Sequence, residues 1–410
     1  MKKTAKRFIS PVFLMLVIWG AEIYMYNLHI ISFYNPLNAS TLLLVFGVII
    51  AFYAGKIFVS IRRRNLLRKG MLKRERKLSL TEIDEASHIV TKIFFWGTVI
   101  NIVFCKGFPL LWLFTGDSRT YAEFGVPSLT GFMNSFYYVA ILSQFYLYNK
   151  TSDKSYLKRL LLLLLYPILL LTRAMIFTTL FELAGLFFLL KKINLRTIVL
   201  TVIVSIAVIL IFGYMGENRY GASDAIKGYG LELVDEDYKD SMEKLPSGFI
   251  WVYLYFTASI NNVVYNINTI HPSYTPYYTM RHLLPSVLSN ILFEKKDFES
   301  NYSMEMENSA FNTFTIFSNY IKDFGLPLTI IVFFFAGVFF YYVYFNASED
   351  KIHYLFMYPP IFMIICLSVF DDFLLSLPTI FQFVITYYYF KKKKYGIQQH
   401  LQGQESPDYR

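Results

Sequence analysis

Charge and cysteine are both scarce in this chain. Asp, Glu, Lys and Arg make up 17% of 410 residues, and there are two cysteines. Cys105 and Cys366 each fall inside an apolar run, so no disulfide framework is expected and both read as packing thiols. A GxxxxGK(S/T) phosphate loop is missing, which argues against a cytoplasmic nucleotide motor and puts any energy source in the substrate. His271 and His282 stand apart without a ligand pattern, and the acidic run "LVDEDYKDSMEK" (233–244) lacks the alternate ligands and glycine of a calcium loop. Neither a metal nor a cofactor is expected. There is no internal repeat, and no linker sets off a soluble domain.

What is abundant is hydrocarbon. The chain is 55% hydrophobic with mean hydropathy +0.41, and many of its apolar runs are long enough to cross a bilayer of about 30 Å. It reads as an all-α polytopic membrane protein. The net charge of +10 could suggest nucleic acid, but 26 of the 39 Lys and Arg residues lie in short segments between apolar runs and in the two tails. Such a distribution is a topology signal, set against anionic headgroups on the cytoplasmic side. A nucleic-acid partner is therefore not expected, whereas membrane lipids are. The first run, "FISPVFLMLVIWGAEIYMYNLHII", is too long for a signal-peptide core and reads as an uncleaved first span.

Apolar runs near 8–32, 41–61, 88–114, 130–148, 156–172, 174–190, 197–215, 325–346, 354–370 and 373–390 predict ten transmembrane helices with both termini cytoplasmic. Residues 1–215 form a bundle of about seven spans with a basic cytoplasmic loop at 62–88. Residues 216–323 form one large external loop, 324–390 about three further spans, and 391–410 a basic cytoplasmic tail. The external loop inverts the charge pattern, with 8 Lys and Arg against 14 Asp and Glu. Within it, "FIWVYLYFTASINNVVYNI" (249–267) is apolar enough to span, but Asn261, Asn262 and Asn266 suit lipid poorly. That segment and "HLLPSVLSNILF" (282–293) read as helices at the interface or packed over the bundle.

Arg173 interrupts the most apolar stretch, "RLLLLLLYPILLLTRAMIFTTLFELAGLFFLLKK" (159–192). Arginine holds its proton, and at a bilayer centre it costs at least about 3 kcal/mol. Both flanks, "KSYLKR" and "KKINLR", look cytoplasmic, so the stretch between must cross an even number of times. At about 1.5 Å per residue it makes about 46 Å of helix, enough for a tight hairpin. Arg173 then sits at the apex near the external headgroups. Arg219 in "GENRYGASD" and Arg281 in "YYTMRHLLPS" face the same compartment. Arginine's planar fork matches phosphate oxygens, so the three are candidate ligands for a lipid diphosphate. Glu22, Lys56, Lys106 and Glu182 fall inside spans and are candidates for helix-to-helix pairs or a proton relay.

Two stretches resemble a known family. "LLLTRAMIF" (169–177) resembles the hydrophobic-small-Arg segment of Wzy-type bacterial oligosaccharide repeat-unit polymerases, which build O-antigen and capsule. "NTFTIFSNYIKDFGLPLTIIVFFFAG" (312–337) is similar to their segment closing the large external loop, with Asn312, Thr313, a Tyr and Asp-Phe-Gly. Thr172 stands where Ser or Gly often precedes the arginine, and Leu326 where a glycine is often near. The resemblance implies a GT-C-like fold in the bacterial cytoplasmic (inner) membrane. It implies metal-independent, inverting glycosyl transfer between undecaprenyl-diphosphate-linked oligosaccharides serving as donor and acceptor, and it admits a chain-length regulator as partner. Arg173, Arg219 and Arg281 would hold the diphosphate, and His282 or Asp323 would act as general base. Two alternatives stand beside it: an O-antigen ligase, which shares the donor, and a lipid-linked oligosaccharide flippase or other transporter.

Overall fold

The computed structural model describes residues 8–70, 77–191, 231–293, 304–306 and 313–391. Among them the regular structure is helical, and β pairing is confined to the isolated bridges Ile31–Val234 and Ser348–Lys351. The helices are α1 (Pro11–Tyr26), α2 (Ala39–Arg68), α3 (Leu80–Cys105), α4 (Pro109–Thr115), α5 (Leu129–Thr151), α6 (Lys154–Leu169) and α7 (Arg173–Leu190). After them come α8 (Glu236–Glu243), α9 (Ser247–Asn266), α10 (Tyr277–Leu283), α11 (Ser286–Leu292), α12 (Ser318–Asn346), α13 (Ile352–Cys366) and α14 (Leu377–Phe390). Four helical stretches, Ala39–Arg68, Leu80–Thr115, Arg173–Leu190 and Ser318–Asn346, are long and apolar enough to cross a membrane. The expected span at 197–215 lies outside the described residues.

Helix starts follow their capping residues. Asn38 accepts from the Thr41 amide at 2.8 Å, Ser79 and Glu82 form a reciprocal box, and Asp153 accepts from the Ser155 amide at 2.8 Å. Each satisfies amide donors that the first helical turn leaves unpaired.

α13 is the central post. Every one of its residues is buried, so it is apolar all round as a helix enclosed by others must be. Against it pack α7, α14, α12 and α1, while α2 lies on α12 and α3 on α5. The α2–α12 contact depends on missing side chains. A Cβ on Gly55 would stand 2.8 Å from the Val338 nitrogen, and one on Gly337 would stand 2.9 Å from the Phe52 Cα. Small residues let backbones approach where no hydrophobic effect drives helices together. Gly337→Ala is expected to cost about 1–3 kcal/mol, because backbone cannot yield as a side-chain tip can. Thermal unfolding in detergent checks this, with Gly20→Ala as the neutral comparison, since a Cβ there meets nothing within 4 Å.

The bundle has a basic end and a cap end. Ion pairs Lys150–Glu349 at 2.6 Å, Lys77–Asp350 at 3.8 Å and Arg159–Asp84 at 4.0 Å tie the turns of the basic end. At the opposite end the described parts of the 231–317 region lie over the helix tips. Asp235 donates its amide to the Ile30 carbonyl at 2.8 Å, Ser32 to Leu233 at 3.0 Å, and Ile316 to Ser368 at 2.8 Å. α9 belongs to this cap. Its Asn261 accepts from the Tyr26 hydroxyl at 2.8 Å and the Asn35 amide at 3.1 Å. Asn262 donates to the Thr313 carbonyl at 2.9 Å, and Asn266 exchanges bonds with the Glu305 backbone at 2.8 and 2.9 Å. The three asparagines thus bind neighbouring chain in the cap.

α6 and α7 form the hairpin. α6 ends with Leu171 at φ 55, the Leu171 amide on the Ile168 carbonyl at 3.0 Å and the Thr172 amide on the Pro167 carbonyl at 3.1 Å. This is the left-handed stop that helices most often build with glycine. Arg173 is the first residue of the returning helix.

Candidate functional site

A short helix, α10, carries Arg281 and His282, and its own first turn is held from outside. Asp323 Oδ1 accepts from the Tyr278 amide at 2.9 Å, while Oδ2 accepts from the Thr279 amide and the Thr279 hydroxyl, both at 2.8 Å. The carboxyl is fully buried. A second tie joins the Ser273 amide to the Lys322 carbonyl at 2.9 Å. Asp323 can reach this turn because α12 is broken two residues later. Gly325 adopts φ 69, ψ 174, which a residue with a side chain avoids, and a Cβ there would meet Pro272 Cγ at 2.9 Å. The Asp-Phe-Gly tripeptide therefore has a local logic: the glycine turns the chain and the aspartate fixes the helix it turns toward.

Around α10 gathers a mixed set of charges. The Lys322 ammonium lies 3.9 Å from the centre of the Tyr278 ring, and the Arg281 guanidinium 6.0 Å from that of Tyr277. Facing them is the turn between α13 and α14, with Asp371 and Asp372. The Asp372 amide donates to Asp371 Oδ1 at 2.7 Å, and the Asp371 carboxylate is within electrostatic reach of His282 and Lys322. Asp372 sits deeper. It accepts from the Leu374 amide at 3.0 Å and the Asn319 amide group at 3.3 Å, with the Tyr320 phenol beside it. Trp19 closes the floor, stacked on Phe317 at 4.6 Å and donating to the Ser368 hydroxyl at 3.0 Å.

The environment sets the proton affinities. His282 keeps an exposed edge, yet the crowding of protein around it holds its imidazole below the ordinary range. Lys322 and Arg281 push the same way, and Asp371 opposes them. A neutral imidazole beside a carboxylate can accept a proton. Burial pushes Asp372 up from 3.8 to about 7. The folded chain therefore keeps a proton that the unfolded chain loses, and stability falls as pH rises from about 4 to about 7. Melting temperature against pH is expected to show this decline in the wild type and a flatter curve in Asp372→Asn.

Of the residues singled out from sequence, Arg281, His282 and Asp323 come together here. Arg173 starts α7 at this same end. α7 and α14 run in one direction, with Glu182 bonded to Gln382 at 2.6 Å, and residues 173 and 372 precede that bond by similar lengths of chain. Arg219 lies outside the described residues, as does Asn312. Among the described residues, no group of three His, Cys, Asp or Glu side chains is placed to hold a metal ion.

The chain matches no protein-family model, no curated protein and no solved structure. Sequence reasoning missed Asp371, Asp372, Lys322 and Asn319, and took Tyr320 only as part of a motif. The available signal was "VFDDFLL", two adjacent carboxylates in the break between the last two apolar runs.

Proposed function

We propose that this chain joins lipid-diphosphate-linked oligosaccharide repeat units into a polysaccharide, as a glycosyltransferase of the Wzy polymerase kind, at the outer face of a bacterial cytoplasmic membrane. The observation that carries the reading is the cap-end cluster, where Arg281 and Lys322 lie beside His282 and face Asp371. The basic end is then cytoplasmic by the positive-inside rule, the cap is external, and ten spans with both termini inside complete the topology.

The chemistry follows from the charges. A lipid diphosphate lies at headgroup depth, within reach of cations at the rim of the bundle. Arg281, Arg173, Arg219 and Lys322 bind its oxygens and stabilise the charge that grows as it departs. An acceptor hydroxyl attacks the anomeric carbon from the opposite side. The new carbon–oxygen bond forms as the sugar–phosphate bond breaks, so the anomeric configuration inverts. His282 takes the hydroxyl proton, a step worth about 10² to 10⁴ in rate, and Asp371 steadies the resulting imidazolium. Asp323 has both oxygens committed to α10 and serves as a positioning residue.

Deleting the gene and resolving the surface glycan on a gel tests the reading. A single repeat unit on its normal anchor is expected, with the ladder restored by the wild-type gene. Polymer accumulating on its lipid carrier would instead indicate a ligase, and a normal ladder would remove both readings.

A further inference from the structure

One face of α14 is polar inside an apolar bundle. Ser376, just ahead of the helix, and Thr379, Gln382 and Thr386 within it recur three or four residues apart and so share a face. Thr379, Gln382 and Thr386 are 3%, 1% and 0% exposed. α7 lays a matching stripe against it, with Thr178, Thr179 and Glu182 at 4%, 1% and 0%. The stripes meet where Gln382 Nε2 donates to Glu182 Oε2 at 2.6 Å. From α5, the Tyr137 hydroxyl shares a hydrogen bond with Thr179 at 3.1 Å.

Polar residues between membrane helices ordinarily act as adhesive, and a closed network would need no further account. This one is open. Glu182 Oε1, Gln382 Oε1 and Thr386 Oγ1 are buried with no hydrogen-bond partner among the described residues. The titratable groups facing Glu182 are the Tyr137 and Tyr138 phenols of α5. α14 presents only amide and hydroxyl there, and α13 presents Phe362 against Gly185 of the same helix as Glu182. No ion pair reaches Glu182 among the described residues, so a negative charge there has only the Gln382 amide to offset it. At its upper end the stripe approaches the cap-end cluster: Ser376 and Thr379 hydroxyls are 2.8 Å apart, and Asp372 lies four residues before Ser376 in the non-helical turn that leads into α14.

We propose that Glu182 is a proton-binding site in exchange with the cap-end cluster along the Ser376–Thr379–Gln382 stripe. A carboxylate enclosed by hydrocarbon is costly, and binding a proton removes that charge while giving Oε1 a hydrogen to donate. Hydroxyls can pass a proton because each both donates and accepts, and Ser376 and Thr379, 2.8 Å apart, are such a pair on the stripe between Glu182 and the turn that carries Asp372. The inference stands apart from the glycan reading, because it uses none of the residues assigned to transfer.

Infrared difference spectra of the full chain in lipid vesicles, wild type minus Glu182→Gln, test it. A protonated-carboxyl stretching band present in the wild type and lost in Glu182→Gln is expected, and transfer to heavy water is expected to shift it. Thr379→Val, which removes the hydroxyl at constant shape, is expected to slow that shift severalfold, while Thr379→Ser keeps the wild-type rate. The proposal is overturned if Glu182→Gln loses no such band, if the band never shifts in heavy water, or if the two Thr379 variants exchange at equal rates.

Discussion

On the proposed polymerase reading, Arg281→Ala is expected to lower the rate of glycan joining by about 10² to 10³, the usual effect of deleting one donor aimed at developing negative charge. Arg281 sits in the last turn of α10, only half-buried, so its removal should leave the melting temperature nearly unchanged. The effect should fall on turnover more than on substrate affinity, because charge on the departing diphosphate grows toward the transition state. Arg281→Lys should recover part of the rate. A lysine restores the charge and loses the planar fork that grips two oxygens at once. Rates measured in membranes at matched protein level, with melting temperatures recorded alongside, separate this outcome from misfolding.

Asp323→Ala is expected to act in the opposite sense, through structure. The carboxyl satisfies the Tyr278 amide, the Thr279 amide and the Thr279 hydroxyl in a fully buried setting. Each donor left unpaired costs about 1–3 kcal/mol, so the sum is a large share of a typical folding free energy of about 5–15 kcal/mol. The expected results are a strongly lowered melting temperature and fast hydrogen exchange at Tyr278 and Thr279. Asp323→Asn keeps one accepting oxygen and should fall between. A general base at this position would behave differently, with Asp323→Asn folded, protected from exchange and inactive. That pattern would return Asp323 to the chemistry.

The two variants also mark what could be read from the sequence. The hairpin was legible because two basic flanks and a fixed rise per residue left one arrangement for Arg173, and the helix breaks at Leu170–Thr172. α9 was legible as a cap helix because three asparagines need partners that lipid does not offer. The role of Asp323 was not legible, since nothing in "KDFG" says which turn of chain its carboxyl will meet. Asp371 and Asp372 were harder still. They are distant in sequence from residues 281–282 and 319–323, and alone they resemble ordinary turn residues between two helices. The break at Gly325, with the 273–283 segment folded back against it, brings the three stretches into one cluster.

The most direct measurement is glycan joining by the purified chain in lipid vesicles, supplied with a polyprenyl-diphosphate-linked oligosaccharide and a metal chelator. The account predicts a ladder of products spaced by one repeat unit, with free polyprenyl diphosphate released at each addition. It predicts that Arg281→Ala and His282→Ala lose the ladder while remaining folded. Unchanged single repeat units with the folded wild-type chain, or a ladder that survives both substitutions, would contradict it.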